Sequence, residues 1–243
     1  MKTTYKPQLF LLHFAGGNRY SFDFLKSYIG SEYEFHPIEL PGRGKRFGEE
    51  LLKTKDLVIQ DYVNQIKNKR NRQPYVVYGH SMGATLGLSV VKHLEDVSDA
   101  PLQLIVSGNP GPGADGLSGE NGKKQRHLMN DEELKEELRM LGGVPEEVLQ
   151  NKDLYEFFSP IMRADFEVLE KDHFSEEGMV INTSIHAIMG TKEERNSKIE
   201  NWKNFTSSDF SYKLIEGGHF FIQDHPKEMA TTIKNFYKKE IIL

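Results

Sequence analysis

The sequence predicts an α/β domain built on a mostly parallel central sheet, with helices on both faces and a helical insertion in the middle third of the chain. Three observations predict it. Short apolar runs alternate with helical patterns, a spacing that implies a parallel sheet covered on both sides. The chain has 243 residues, 37% hydrophobic and 28% charged, which suits one large domain with a full core. Its texture changes near residues 109 and 180, where a Gly/Pro-rich run opens a helical stretch between two strand-and-helix regions.

The elements follow in order. Residues 8–14, 33–40, 75–79 and 102–108 read as strands bounded by turn residues, with helices over 56–69 and 82–94 between them. After the insertion, 184–190 and 210–216 again read as strands, and 198–205 and 227–238 as helices. The expected organisation is a core from 1–108 and 180–243 interrupted by a helical lid at 109–179. Asn109-Pro110-Gly111-Pro112-Gly113-Ala114-Asp115-Gly116 is too rich in Gly and Pro for regular structure and is expected to be a mobile hinge. Beyond it, 131–140 and 146–150 carry helical patterns, and 154–174 supplies Tyr155, Phe157, Phe158, Phe166 and Phe174. Insertions of this kind sit at the loop end of a sheet, where ligands bind, so a lid over a site is expected.

Composition removes several classes of function. The chain has no cysteine, which excludes disulfide scaffolds, zinc ribbons, iron–sulfur clusters and a thiol nucleophile, and no metal centre is expected. A net charge of −5 argues against non-specific nucleic-acid binding, and the basic run from Lys67 to Arg72 reads as a solvated helix end. The first apolar run, Leu9 to Leu12, is too short for a signal peptide or membrane span, so a cytoplasmic chain is expected. A monomer is the expected assembly.

The sharpest chemical signal is Gly79-His80-Ser81-Met82-Gly83, which follows a predicted strand and opens a predicted helix. A serine there sits on a strained turn with its hydroxyl above the sheet, and glycines two residues before and after it let strand and helix approach. A serine hydroxyl needs a base, normally a histidine held by a carboxylate. His219, in Glu216-Gly217-Gly218-His219-Phe220-Phe221, lies between the last strand and the last helix and is the expected base. His13 and His80 flank the site and are expected to orient loops, while His36, His93, His127, His173, His186 and His225 have no paired motif.

The acid is less direct. The loop after the strand at 184–190 contains no aspartate, and reads Gly190-Thr191-Lys192-Glu193-Glu194. Glu193 is the expected acid, with Glu194 and a borrowed Asp165 as alternatives. Acyl transfer also needs two N–H groups aimed at the oxyanion. Met82 supplies the first. Ala15, in His13-Phe14-Ala15-Gly16-Gly17, is nominated for the second, with Phe14 as its neighbour.

Together, His13-Phe14-Ala15-Gly16-Gly17, Glu39-Leu40-Pro41-Gly42-Arg43-Gly44, Gly79-His80-Ser81-Met82-Gly83 and Gly217-Gly218-His219-Phe220-Phe221 resemble the type II thioesterases that accompany nonribosomal peptide and polyketide synthetases. The likeness extends into the insertion, where Leu141-Gly142-Gly143-Val144-Pro145 and the stretch from Ser159 to Asp165 look like family segments. It implies an α/β-hydrolase fold with a small helical lid. It also implies hydrolysis of acyl groups from the phosphopantetheine arm of carrier proteins in antibiotic-type biosynthesis, with acyl carrier or peptidyl carrier domains as partners and no cofactor beyond the pantetheine that carries the substrate. By motif position Ser81 takes the nucleophile role and His219 that of the base. Glu193 stands three residues after Gly190, where the family usually has aspartate, and Arg163 and Asp165 match positions expected to be lid architecture. Two other readings fit the same residues: an esterase or acyltransferase using this triad, and a pseudoenzyme that binds carrier proteins. Arg43, Lys45 and Arg46 are candidates for a basic rim facing an acidic carrier.

Overall fold

The computed structural model of the chain describes residues 6–114, 125–171 and 176–240, with side chains through 237. Met1 to Tyr5, Asp115 and Gly116 of the Gly/Pro run, His173 and Phe174 lie outside the described residues.

Six strands, β1 (Gln8–Leu12), β2 (Glu34–Ile38), β3 (Tyr75–His80), β4 (Gln103–Ser107), β5 (Ser184–Gly190) and β6 (Phe210–Ile215), form one sheet in the order β2-β1-β3-β4-β5-β6. Every pairing is parallel. The central strands are covered on both faces, which is why their sequences read as unbroken apolar runs. Side chains along β1 alternate accordingly: Phe10 and Leu12 enter one core, and Leu9 and Leu11 the other.

The first core also takes Val58 and Tyr62 from α2 (Lys55–Lys69) and Leu86, Val90 and Leu94 from α3 (Met82–Asp96). The second takes Leu25 and Ile29 from α1 (Asp23–Ile29) and Met229 and Ile233 from α8 (Pro226–Glu240). Each such fully buried aliphatic side chain contributes about 1.5–3 kcal/mol, which outweighs the weak local signals of the shorter helices. α1 is a seven-residue helix that the sequence pattern does not announce, because its first turn has no side-chain cap and its apolar stripe is only two residues deep. The helix expected over 198–205 is instead a 3₁₀ run, Asn196–Phe205.

Between β4 and β5 lie α4 (Asp131–Leu141), α5 (Glu146–Gln150) and α6 (Lys152–Lys171). Asn130 opens α4 with a reciprocal capping box to Glu133, which satisfies two otherwise unpaired groups. Leu134, Leu138, Leu149, Tyr155, Met162 and Phe166 form a third apolar cluster, while Val168, further along α6, joins the first core. α6 is thus shared by insertion and core.

The Gly/Pro run differs from the expected mobile hinge over its described part. Asn109 Nδ2 donates to Thr85 Oγ1 at 2.9 Å, Trp202 Nε1 donates to the Asn109 carbonyl at 2.8 Å, and Asn201 Nδ2 donates to the Pro112 carbonyl at 2.9 Å. These bonds fix the start of the insertion. Among the described residues no helix is long and apolar enough to cross a membrane.

Candidate active site

Sheet order alone selects a location. From β1 the chain steps outward to β2 on one side, and from β3 it proceeds through β4, β5 and β6 on the other. The crevice at the carboxyl ends of β1 and β3 is therefore the switch point, where loops diverge and leave room for a ligand.

Ser81 follows β3 there as the N-cap of α3, with φ +55° and ψ −111°, a conformation unusual for a side chain-bearing residue. The glycines around it are sterically required: a Cβ on Gly79 would collide with the Gly83 carbonyl, and one on Gly83 with the Leu12 carbonyl. Behind the turn, Ser107 Oγ bonds both the Tyr78 hydroxyl at 2.7 Å and His80 Nδ1 at 2.8 Å. Burial, and then the neighbouring His219, push the His80 imidazole well below its ordinary pKa, so it sits neutral beneath the site.

His219, on the turn between β6 and the short helix α7 (Phe221–Asp224), brings Nε2 to 3.0 Å from Ser81 Oγ. Its Nδ1 lies 2.9 Å from Glu193 Oε2. These partners select one tautomer: Nδ1–H donates to the carboxylate, leaving Nε2 to accept the serine proton. The other Glu193 oxygen, Oε1, accepts the Gly190 amide at 2.7 Å. The longer side chain is accommodated because it folds back onto its own turn, and the backbone holds it there. Glu194 is exposed. Asp165 is committed elsewhere, so of the three acids considered only Glu193 meets the imidazole.

Met82 is the first residue of α3, where an amide has no intrahelical acceptor. Ala15 and Ser81 line the same cavity of about 380 Å³, along with His219 and with Leu138, Phe158 and Met162 from the insertion. This volume and its largely apolar walls suit a small acyl group, with Arg126 and Glu170 among the polar side chains that also line it.

The basic rim expected at Arg43, Lys45 and Arg46 needs correction. Arg43 is buried and makes a two-pronged ion pair with Asp165, at 2.7 and 2.8 Å, and Arg46 is held by Glu49 and Asp61. Lys45 alone of the three is exposed. Asp165 Oδ2 also accepts the Gly16 amide at 2.8 Å. Nothing in the local sequence pairs Arg43 with Asp165, since 122 positions separate them.

A family model described as "Thioesterase domain" matches residues 7–237. Gramicidin S biosynthesis protein GrsT of Aneurinibacillus migulanus is 30% identical over 227 residues, covering 92% of this chain and 86% of that protein. The medium-chain S-acyl fatty acid synthase thioesterase of Rattus norvegicus is 25% identical over 96% of this chain and 87% of its own length. Among solved structures, the type II thioesterase BorB from the borrelidin biosynthetic cluster superposes with a TM-score of 0.82 at 26% identity, covering 97% of this chain and 94% of that one.

Proposed function

The chain belongs to the thioesterase domain family, and from that premise we propose that it is a type II thioesterase acting as a cytoplasmic monomer on acyl groups borne by the phosphopantetheine of carrier-protein domains in nonribosomal peptide or polyketide biosynthesis. The observation that carries the mechanism is the unbroken line from Glu193 Oε2 through His219 to Ser81 Oγ, at 2.9 and 3.0 Å, opening into an apolar cavity.

Ser81 Oγ attacks the thioester carbonyl while His219 Nε2 takes its proton, and Glu193 steadies the imidazolium. The amides of Met82 and Ala15 hold the oxyanion. Collapse breaks the C–S bond, and His219 returns the proton to the departing pantetheine sulfur. Water then attacks the acyl-serine with His219 again as base, releasing the carboxylic acid and restoring Ser81. The steps draw on side chains and backbone amides; the pantetheine arrives with the substrate. The helices α4 to α6 act as the lid, an assignment supported by Leu138, Phe158 and Met162 lining the cavity.

A panel of acyl-loaded carrier proteins and matching acyl-pantetheines tests this reading. The wild type should hydrolyse them, thioesters faster than the corresponding oxygen esters, and Ser81→Ala should abolish turnover. Turnover surviving in Ser81→Ala, or faster cleavage of oxygen esters, overturns it.

A further inference from the structure

The loop that supplies the Ala15 amide has no helix or sheet to hold it. Its own hydrogen bond, from Gly17 N to the Phe14 carbonyl at 2.9 Å, closes a four-residue turn with Ala15 and Gly16 at its centre. Gly16 sits at φ +73°, the signature of a type II turn. Such turns interconvert with type I by rotation of the central peptide plane, here the Ala15 carbonyl and Gly16 N–H. That N–H donates to Asp165 Oδ2 at 2.8 Å. The preceding plane, which carries the Ala15 N–H, has its Phe14 carbonyl bonded to His13 Nδ1 at 2.8 Å as well as to Gly17 N. Arg43, besides its ion pair, donates through Nη1 to the Gly17 carbonyl at 3.3 Å. Met162, one turn before Asp165 on α6, lies where a Cβ on Gly16 would be. Two segments distant in sequence, the Arg43 loop and α6, therefore converge on this one turn.

We infer that Asp165 is a positioning residue for the oxyanion hole: carried by α6, it anchors through Gly16 N the Phe14–Gly17 turn that presents the Ala15 N–H, while Arg43 balances its buried charge. Resting on the thioesterase reading above, this assigns the Asp165 acceptor a task in the reaction beyond packing. The charges around the clasp are consistent with it. Burial, and then the Arg43 charge, push the His13 imidazole down to about 4, so His13 stays neutral and Arg43 is the cation that faces Asp165.

The test separates positioning from stability with two double variants, Arg43→Met/Asp165→Asn and Arg43→Met/Asp165→Leu. Both remove the ion pair, and they differ in whether position 165 retains an acceptor for Gly16 N. The Leu version is expected to be the more stable, because apolar replacement of a buried ion pair is well tolerated whereas a buried Asn leaves donors unpaired. Two rates are read: kcat for octanoyl-pantetheine, and the rate at which a fluorophosphonate, whose phosphoryl oxygen enters the oxyanion hole, labels Ser81. The Asn version should hold both rates within about fivefold of wild type, and the Leu version should lose about thirty- to a hundredfold in both with KM little changed. Equal losses in the two variants, or activity that follows melting temperature, overturns the inference. A wild type that is phosphonylated but leaves thioesters intact would sink the substrate assignment while the labelling rates still decide this one. Amide exchange in the wild type gives a measurement independent of any variant: Gly16 N–H should be protected at the level of sheet amides, and exchange at the rate of an open loop overturns the inference.

Discussion

The two sides of the cavity are made differently. The side proposed to handle protons, Ser81, His219 and Glu193, comes from turns at the ends of three strands, and its imidazole keeps 24% of its surface open to solvent. The side proposed to hold the oxyanion is backed by Arg43 and Asp165, which are 3% and 1% exposed and come from a loop and a helix on different parts of the chain. A group that must gain and lose a proton in each turnover needs a tunable environment, whereas groups that only hold a backbone in place can be sealed away, where an ion pair resists exchange with water. Chemistry and positioning are thus separated in burial as well as in sequence.

The largest effect that could break this contrast lies on the proton side. Glu193→Gln should lower kcat on the order of a hundredfold or more with melting temperature nearly unchanged, because the amide can offer its N–H to Nδ1 and favour the wrong tautomer. Glu194→Gln should leave kcat alone; equal losses in the two would mean that the acid is not the one His219 contacts.

The buried side should show instead in stability. The native protein refuses a proton at His13 down to about pH 4, while the unfolded chain takes one near 6.5. Stability is therefore fully present above pH 6.5 and declines as pH falls from 6.5 toward 4, by about 3 kcal/mol from this group at the acid end. Urea denaturation across that range should show the decline and a shallower one in His13→Gln; identical slopes would contradict the assignment.

Smallest is the effect of Asn130→Ala, at a residue outside the cavity lining. Loss of the α4 cap should cost about 1 kcal/mol and lower the melting temperature by about 2–4 °C with kcat intact. A drop in kcat there would mean that the cap also sets where α4 places Leu138 in the cavity wall.

These differences also explain what could be read in the sequence. The central strands were legible because both of their faces are buried, which turns a tertiary fact into a local apolar run, as in Tyr75–His80. Ser81 was legible because its strained turn forces glycines at fixed offsets, and Glu193 because it could be counted from Gly190. The type II thioesterase likeness and the α/β-hydrolase fold hold up in the comparisons. The Arg43–Asp165 pair left no trace, since neither partner constrains its own neighbours, and Arg43 reads as one of three candidate rim cations. α1 was hidden for a related reason: Leu25 and Ile29 are fixed by contact with α8 more than by local preference.

The position of β6 has a further consequence. It is an edge strand, bonded to β5 on one side only, and most of its residues face solvent, yet the turn that follows it carries His219. Peeling begins at such margins. Heat or denaturant would detach the imidazole while the sheet around Ser81 was still intact, so the molecule would fall silent before it melted.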